Sequence, residues 1–255
     1  MRAGDTAARG AASFPATVTR AAQLVASPWK NGGGVTREIA AGAGRPPAAG
    51  SNAQQAGATQ ASRFDTFAWR VSLADVAQPG PFSRFDGIDR VLVLLSGSGM
   101  LLDEGGATPR THALLKPLEL ARFAGEAAID ARLVDGATRD FNLMTRRGVA
   151  TGDVEVWQGS GSHSVSADVV LLFCASGEMT VSSGDAEPVR LAQDDTLRFE
   201  RRASAHEPAA ADADANANAN AKEAPAPARL ALNLDVQGDG ALLAIRIDLH
   251  EPTAL

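Results

Sequence analysis

Leu94-Leu95-Ser96-Gly97-Ser98-Gly99-Met100-Leu101 and, in the second half of the chain, Phe173-Cys174-Ala175-Ser176-Gly177-Glu178-Met179-Thr180-Val181 decide the fold class. Each is an apolar run, a Ser-Gly turn and a second apolar run, the pattern of two short strands joined by a tight connection. Working outward from the first, strands are predicted at Val35 to Ala40, Phe67 to Ala74, Arg90 to Ser96, Gly99 to Asp103, Glu119 to Phe123, Ala128 to Leu133 and Asp140 to Thr145. Outward from the second they are predicted at Val154 to Trp157, Val169 to Ala175, Glu178 to Ser182, Thr196 to Glu200, Leu230 to Leu234 and Leu242 to Leu249. Helical periodicity is scarce, so the chain reads as all-β, and the recurrence of one unit in both halves is weak internal duplication.

Two stretches interrupt this pattern. Ala41 to Ser62 and Ala203 to Ala228 consist almost entirely of small and polar residues. Such segments bury too little apolar surface to offset the entropy of ordering, so 41–62 and 203–228 are expected to be flexible inserts. Without them, two units of about a hundred residues each remain. The expected organisation is a flexible N-terminus at 1–16, a first domain at 17–150 and a second at 151–255.

The formal net charge is −6, and the second insert carries half of it through Glu207, Asp212, Asp214 and Glu223 against Lys222. No basic patch interleaved with aromatics is present, which argues against nucleic-acid binding. No segment reaches the length of a membrane span, and Met1 to Thr17 lacks the apolar core of a signal peptide, so no membrane partner and a cytoplasmic location are expected. Cys174 is the only cysteine. It stands in an apolar run, where a buried small hydrophobe is expected rather than a nucleophile.

The glycine run of Ser27-Pro28-Trp29-Lys30-Asn31-Gly32-Gly33-Gly34-Val35-Thr36-Arg37-Glu38-Ile39 is followed by a β-branched strand, not by the helix start that a phosphate loop requires. A sharp turn that delivers Trp29 and Asn31 to one side of that strand is the expectation. With Phe67-Ala68-Trp69-Arg70-Val71-Ser72-Leu73-Ala74, Gly80-Pro81-Phe82-Ser83-Arg84-Phe85-Asp86-Gly87-Ile88-Asp89-Arg90, Phe123-Ala124-Gly125-Glu126 and Asp140-Phe141-Asn142-Leu143-Met144, this stretch resembles the signature of the HutD/Ves family. The resemblance implies a bicupin, two cupin-type β-barrels of the RmlC-like jelly-roll kind in one chain. It also implies an association with histidine utilisation.

Cupins commonly hold a metal through two closely spaced histidines, an acidic residue, a glycine and a later third histidine. Anchored on Gly97, that pattern puts Arg90 in the acidic slot, Ser83/Phe85 or Arg84/Asp86 in the histidine pair, and Ala128 in the place of the third. His112, His163, His206 and His250 stand apart from one another; only His112 is worth watching as a base. No metal and no cofactor are therefore expected.

Alternation assigns the faces of the first-domain strands. Phe67, Trp69, Val71 and Leu73 share one face, and Ala68, Arg70, Ser72 and Ala74 the other, whose small and polar residues leave room for a ligand inside a barrel. Asn142, Met144 and Arg146 alternate in the same way, and Arg90 faces with Leu92 and Leu94. A buried guanidinium needs a counter-charge, either Glu38, Asp89 or Glu126 or an anionic ligand that its fork geometry matches. The expected ligand site is thus Arg70 as the anchor, with Ser72, Arg90, Asn142, Arg146 and Asn31, and with Trp29 and Phe82 as an apolar wall.

The resemblance supplies the ligand class, small acids of histidine breakdown such as urocanate and formylglutamate. Three function classes follow. The first is a binding protein that senses or buffers such an acid. The second is a metal-independent isomerase, lyase or hydrolase using Glu38 or Glu126 as acid or base. The third is an interaction protein with a vestigial cavity, whose apolar second barrel packs on a neighbour or makes a homodimer through barrel surfaces.

Overall fold

The computed structural model describes residues 15–44, 67–200 and 229–251. The first half supplies β1 (Ala16–Thr19), β2 (Ala26–Pro28), β3 (Gly34–Gly42), β4 (Trp69–Val76), β5 (Gly80–Pro81), β6 (Ile88–Ser96), β7 (Met100–Glu104), β8 (Arg110–Leu114), β9 (Leu120–Ala124), β10 (Ile129–Leu133) and β11 (Thr138–Arg146). The second half supplies β12 (Ala150–Gln158), β13 (Gly161–Ala167), β14 (Val169–Ser176), β15 (Glu178–Ser183), β16 (Val189–Ala192), β17 (Thr196–Glu200), β18 (Leu230–Gly238) and β19 (Ala241–Leu249). Every strand predicted from the sequence is present. The expected flexible segments fall largely outside the described residues, although Ala16 lies in β1, and Ala41 and Gly42 extend β3.

The strands form four antiparallel sheets. Two belong to the first half: an inner sheet in the order β2-β3-β4-β11-β6-β9 and an outer one in the order β5-β10-β7-β8. The second half repeats this with an inner sheet β1-β17-β14-β19-β12 and an outer sheet β13-β18-β15-β16. The N-terminal strand thus crosses to the second half, where Arg20 pairs with Asp195 at 2.7 Å, before β2 returns to the first. No sheet closes into a barrel among the described residues; each half is two sheets stacked face to face.

Strand alternation explains the stacking. Trp69, Val71, Leu73, Phe141 and Leu143 of one inner sheet meet Val169, Leu171, Phe173, Leu243 and Ile245 of the other in a single core. The Phe141 and Phe173 rings lie 5.1 Å apart at its centre, and truncating either to Ala should cost about 3–5 kcal/mol. The opposite face of β14 carries Val170, Leu172 and Cys174 into a second core with Met179, Val181 and Leu232 of the outer sheet. Burial on both faces is why Val169 to Phe173 is apolar without interruption. In the first half, Leu92, Leu94 and Phe123 pack on Met100, Leu102 and Ile129, and this third core fills only part of the space between the two sheets.

Candidate functional site

The remaining space is a cavity of about 830 Å³. Its floor is the face of the inner sheet turned away from the central core, arranged in three ranks by strand register. Arg70, Met144 and Arg90 form the first rank; Glu38, Ser72, Asn142 and Leu92 the second; Thr36, Ala74, Asp140 and Leu94 the third. The face that alternation assigned to a ligand is therefore the one that lines the cavity.

The glycine run builds one rim. Gly32 adopts φ +69°, and the Asn31 side-chain oxygen accepts the Gly33 N–H at 3.0 Å. A Cβ on Gly34 would lie 2.4 Å from the Asp75 carbonyl oxygen and 3.0 Å from the Trp29 ring, so only glycine fits there. Trp29 is held by its Nε1, which donates to Thr36 Oγ1 at 2.7 Å. Trp29, Asn31 and Phe82 all line the cavity, with Trp29 and Phe82 packed against the first-half core.

The two arginines differ in their partners. Arg70 Nε donates to Glu38 Oε2 at 2.7 Å and Nη1 points at Met144 Sδ at 3.8 Å, so this guanidinium has a protein carboxylate. Arg90 is 8% exposed and has no carboxylate within ion-pair distance among the described residues. Its Nε and Nη2 both donate to Asn142 Oδ1, at 3.2 and 3.1 Å, and the rings of Phe82, Phe85 and Phe123 surround it at 5.0 to 5.8 Å. Burial pushes Arg90 down to about 10 in spite of the attraction of Asp140, and the positive charge of Arg70 adds to the lowering. It stays charged at neutral pH.

Asp140 is the residue that the sequence reading passed over. It is 2% exposed, lines the cavity, and its Oδ2 has no hydrogen-bond partner among the described residues. Burial lifts it to about 7, with Arg90 opposing the rise and Asp75 adding to it. The signal was there: Asp140, Asn142 and Met144 stand at a spacing of two on one strand, which gives them one face.

Other expected site residues lie elsewhere. Arg146 reaches the end of β11 and donates from Nε to the Phe67 carbonyl at 3.1 Å, outside the cavity lining. Asp89 and Glu126 both pair with Arg147 at the surface, not with a cavity arginine. Glu38 lines the cavity, half exposed. His112 contacts Glu104 at 3.0 Å, His163 stacks on Trp157 at 3.8 Å and His250 contacts Thr151 at 3.2 Å, all away from the cavity; His206 lies outside the described residues. The Cys174 thiol is pushed up to about 11 by burial, with Asp195 adding to the rise, and is not a nucleophile at neutral pH.

The donors in the cavity do not fit the transition metal that cupin folds commonly carry. Two guanidiniums stand among the carboxylates and amide, and among the described residues no imidazole lines the space. Among the described residues, no group of three or more His, Cys, Asp or Glu is placed to hold a metal ion. No helix among them is long and apolar enough to cross a membrane.

Comparison with known proteins adds ancestry to this geometry. The family model described as HutD matches residues 21–218. An uncharacterized 21.2 kDa protein in the hutC 3′ region of Pseudomonas putida is 35% identical over 181 residues, covering 71% of this chain and 85% of the relative. Among solved structures, HutD from Pseudomonas fluorescens SBW25 in a formate condition is similar at 27% identity and a TM-score of 0.66, over 92% of this chain and 100% of that one. A conserved protein of unknown function from Pseudomonas aeruginosa PAO1 is similar at 25% identity and a TM-score of 0.67, over 92% and 99%. Solved structures of much lower identity share the all-β fold.

Proposed function

The chain belongs to the HutD family, and from that premise we propose that its first-half cavity binds a small carboxylate metabolite of histidine catabolism, of the urocanate or formylglutamate type, in a regulatory or buffering role. One observation carries the reading: Arg90 is a buried cation in a cavity with no carboxylate in ion-pair reach among the described residues. Leaving a buried charge uncompensated costs several kcal/mol, and a bidentate carboxylate is the ligand that a guanidinium fork matches best. Ser72 and Asn142 lie in the next rank to complete the oxygens' hydrogen bonds, and Trp29 and Phe82 give the apolar wall. The relative in the hutC 3′ region supports the metabolic setting.

In this reading each half is one cupin-type jelly roll of a bicupin, the protein works in the cytoplasm without a metal, and the second half serves packing, in the chain or between two copies of it. The test is thermal: urocanate, formylglutamate or formate should raise the melting temperature in a concentration-dependent way, and no shift with any of them removes the binding role.

A second reading, a metal-independent enzyme acting on such an acid, draws on Asp140, a buried carboxyl that titrates near neutrality inside the cavity. Steady turnover of urocanate or formylglutamate by purified protein would favour it over the binding role.

A further inference from the structure

We propose that the cavity holds its occupant at two ends, so that the acid it takes carries, besides its carboxylate, an N–H donor that hydrogen-bonds to Asp140. This rests on the assignment of Arg90 as the carboxylate anchor and adds the second anchor. Asp140 is almost fully buried, faces the cavity, and leaves Oδ2 without a partner among the described residues. A buried acceptor in that state is costly in the empty protein and is satisfied by a donor that arrives with the occupant.

The neighbours of Asp140 leave that part open. Its cross-strand partners, Ala74 and Leu94, have no polar side chain, and Thr36 in the same rank stands two strands away, beyond Ala74. Arg90 is turned toward the second rank, where two of its nitrogens are fixed on Asn142 Oδ1. That arrangement commits the Asn142 oxygen to Arg90, so the amide nitrogen is the end of Asn142 left to donate to an occupant. Donors thus gather around Arg90 and Asn142, and a lone acceptor stands one rank further on. The two ranks are two residues apart on β11, about 7 Å at the rise of a strand. A molecule with its carboxylate and its N–H separated by three or four bonds spans them. A simple diacid would set a second carboxylate against Asp140 and is disfavoured.

A matched pair of probes tests this on the full chain: 3-(pyrrol-2-yl)propanoate and 3-(furan-2-yl)propanoate, alike in shape and differing in a ring N–H against a ring oxygen. In calorimetric titration at about pH 8.5, where Asp140 is ionised, the value of a hydrogen bond to a charged group predicts that wild type binds the pyrrole acid roughly tenfold or more tightly than the furan acid. Asp140→Leu should bring the two affinities together, whereas Asp140→Asn, which keeps an acceptor in place, should retain part of the preference. Equal binding by wild type, or an undiminished preference in Asp140→Leu, overturns the proposal; the wild-type comparison decides even if the Leu variant fails to fold. If both acids bind through Arg90 without preference, the second anchor alone is lost. If neither they nor formate bind, the carboxylate site falls with it.

Discussion

Replacing Asp140 by Asn should stabilise the empty protein at neutral and alkaline pH while leaving it unchanged near pH 4. Asp140 rises from 3.8 to about 7, chiefly through burial, and the attraction of Arg90 for the ionised carboxylate is already contained in that value. Below about pH 4 the carboxyl is protonated in both folded and unfolded chains, so the full stability is present. As the pH rises toward 7, the unfolded chain gives up a proton that the folded one retains, and stability falls; above about 7 both have lost it and the loss is complete. At about 1.4 kcal/mol for each pH unit, the loss amounts to about 4 kcal/mol, an upper figure because the folded site relaxes around the charge. Asn does not ionise and escapes this loss. Urea unfolding followed by tryptophan fluorescence, in steps from pH 4.5 to 8.5, measures both proteins. The difference between them should grow across that range and then level off. Curves that run parallel would show that Asp140 titrates in the fold as it does in the unfolded chain, and would refute the claim that burial perturbs it.

Two further outcomes are expected. Elemental analysis of purified protein should find transition metal well below one equivalent, because the cavity sets two guanidiniums among its oxygen donors and, among the described residues, offers no imidazole; a full equivalent of tightly held Zn, Fe, Ni or Mn contradicts this. Deleting residues 209–221, which carry almost no large apolar side chain, should leave the melting temperature nearly unchanged, and a loss of several degrees would show that the segment packs.

The strands that the sequence revealed and those it hid differ in their place in a sheet. Central strands such as β4, β11 and β14 carry long apolar or alternating runs because one or both faces are buried. The strands that escaped the reading, β1, β2, β5, β8, β13 and β16, are all at sheet edges. Arg110-Thr111-His112-Ala113-Leu114 and Gly161-Ser162-His163-Ser164-Val165 show why: with a neighbour on one side and solvent over much of the surface, polar residues are tolerated and periodicity fades.

The site was legible to the same depth. Alternation put Arg70, Ser72, Arg90 and Asn142 on the cavity face, since period two is a property of the strand alone. It also suggested Arg146, where the end of β11 has already left the cavity. Which arginine a protein carboxylate would claim depended on cross-strand register, set by the bulge between Glu38 and Ala40, and local spacing does not encode that. Asp140 was missed because it was read only as the first residue of its strand; its burial comes from the stacking of the two first-half sheets, which local spacing does not encode.

The central claim is that Arg90 anchors a small carboxylate, and calorimetric titration of urocanate, formylglutamate and formate against wild type, Arg90→Ala and Arg70→Ala tests it most directly. Loss of a charge-assisted contact of about 1.5–3 kcal/mol should weaken binding roughly ten- to more than a hundredfold in Arg90→Ala. The effect should be smaller in Arg70→Ala, whose guanidinium Glu38 already holds. An acid that binds Arg90→Ala as tightly as wild type would contradict the account.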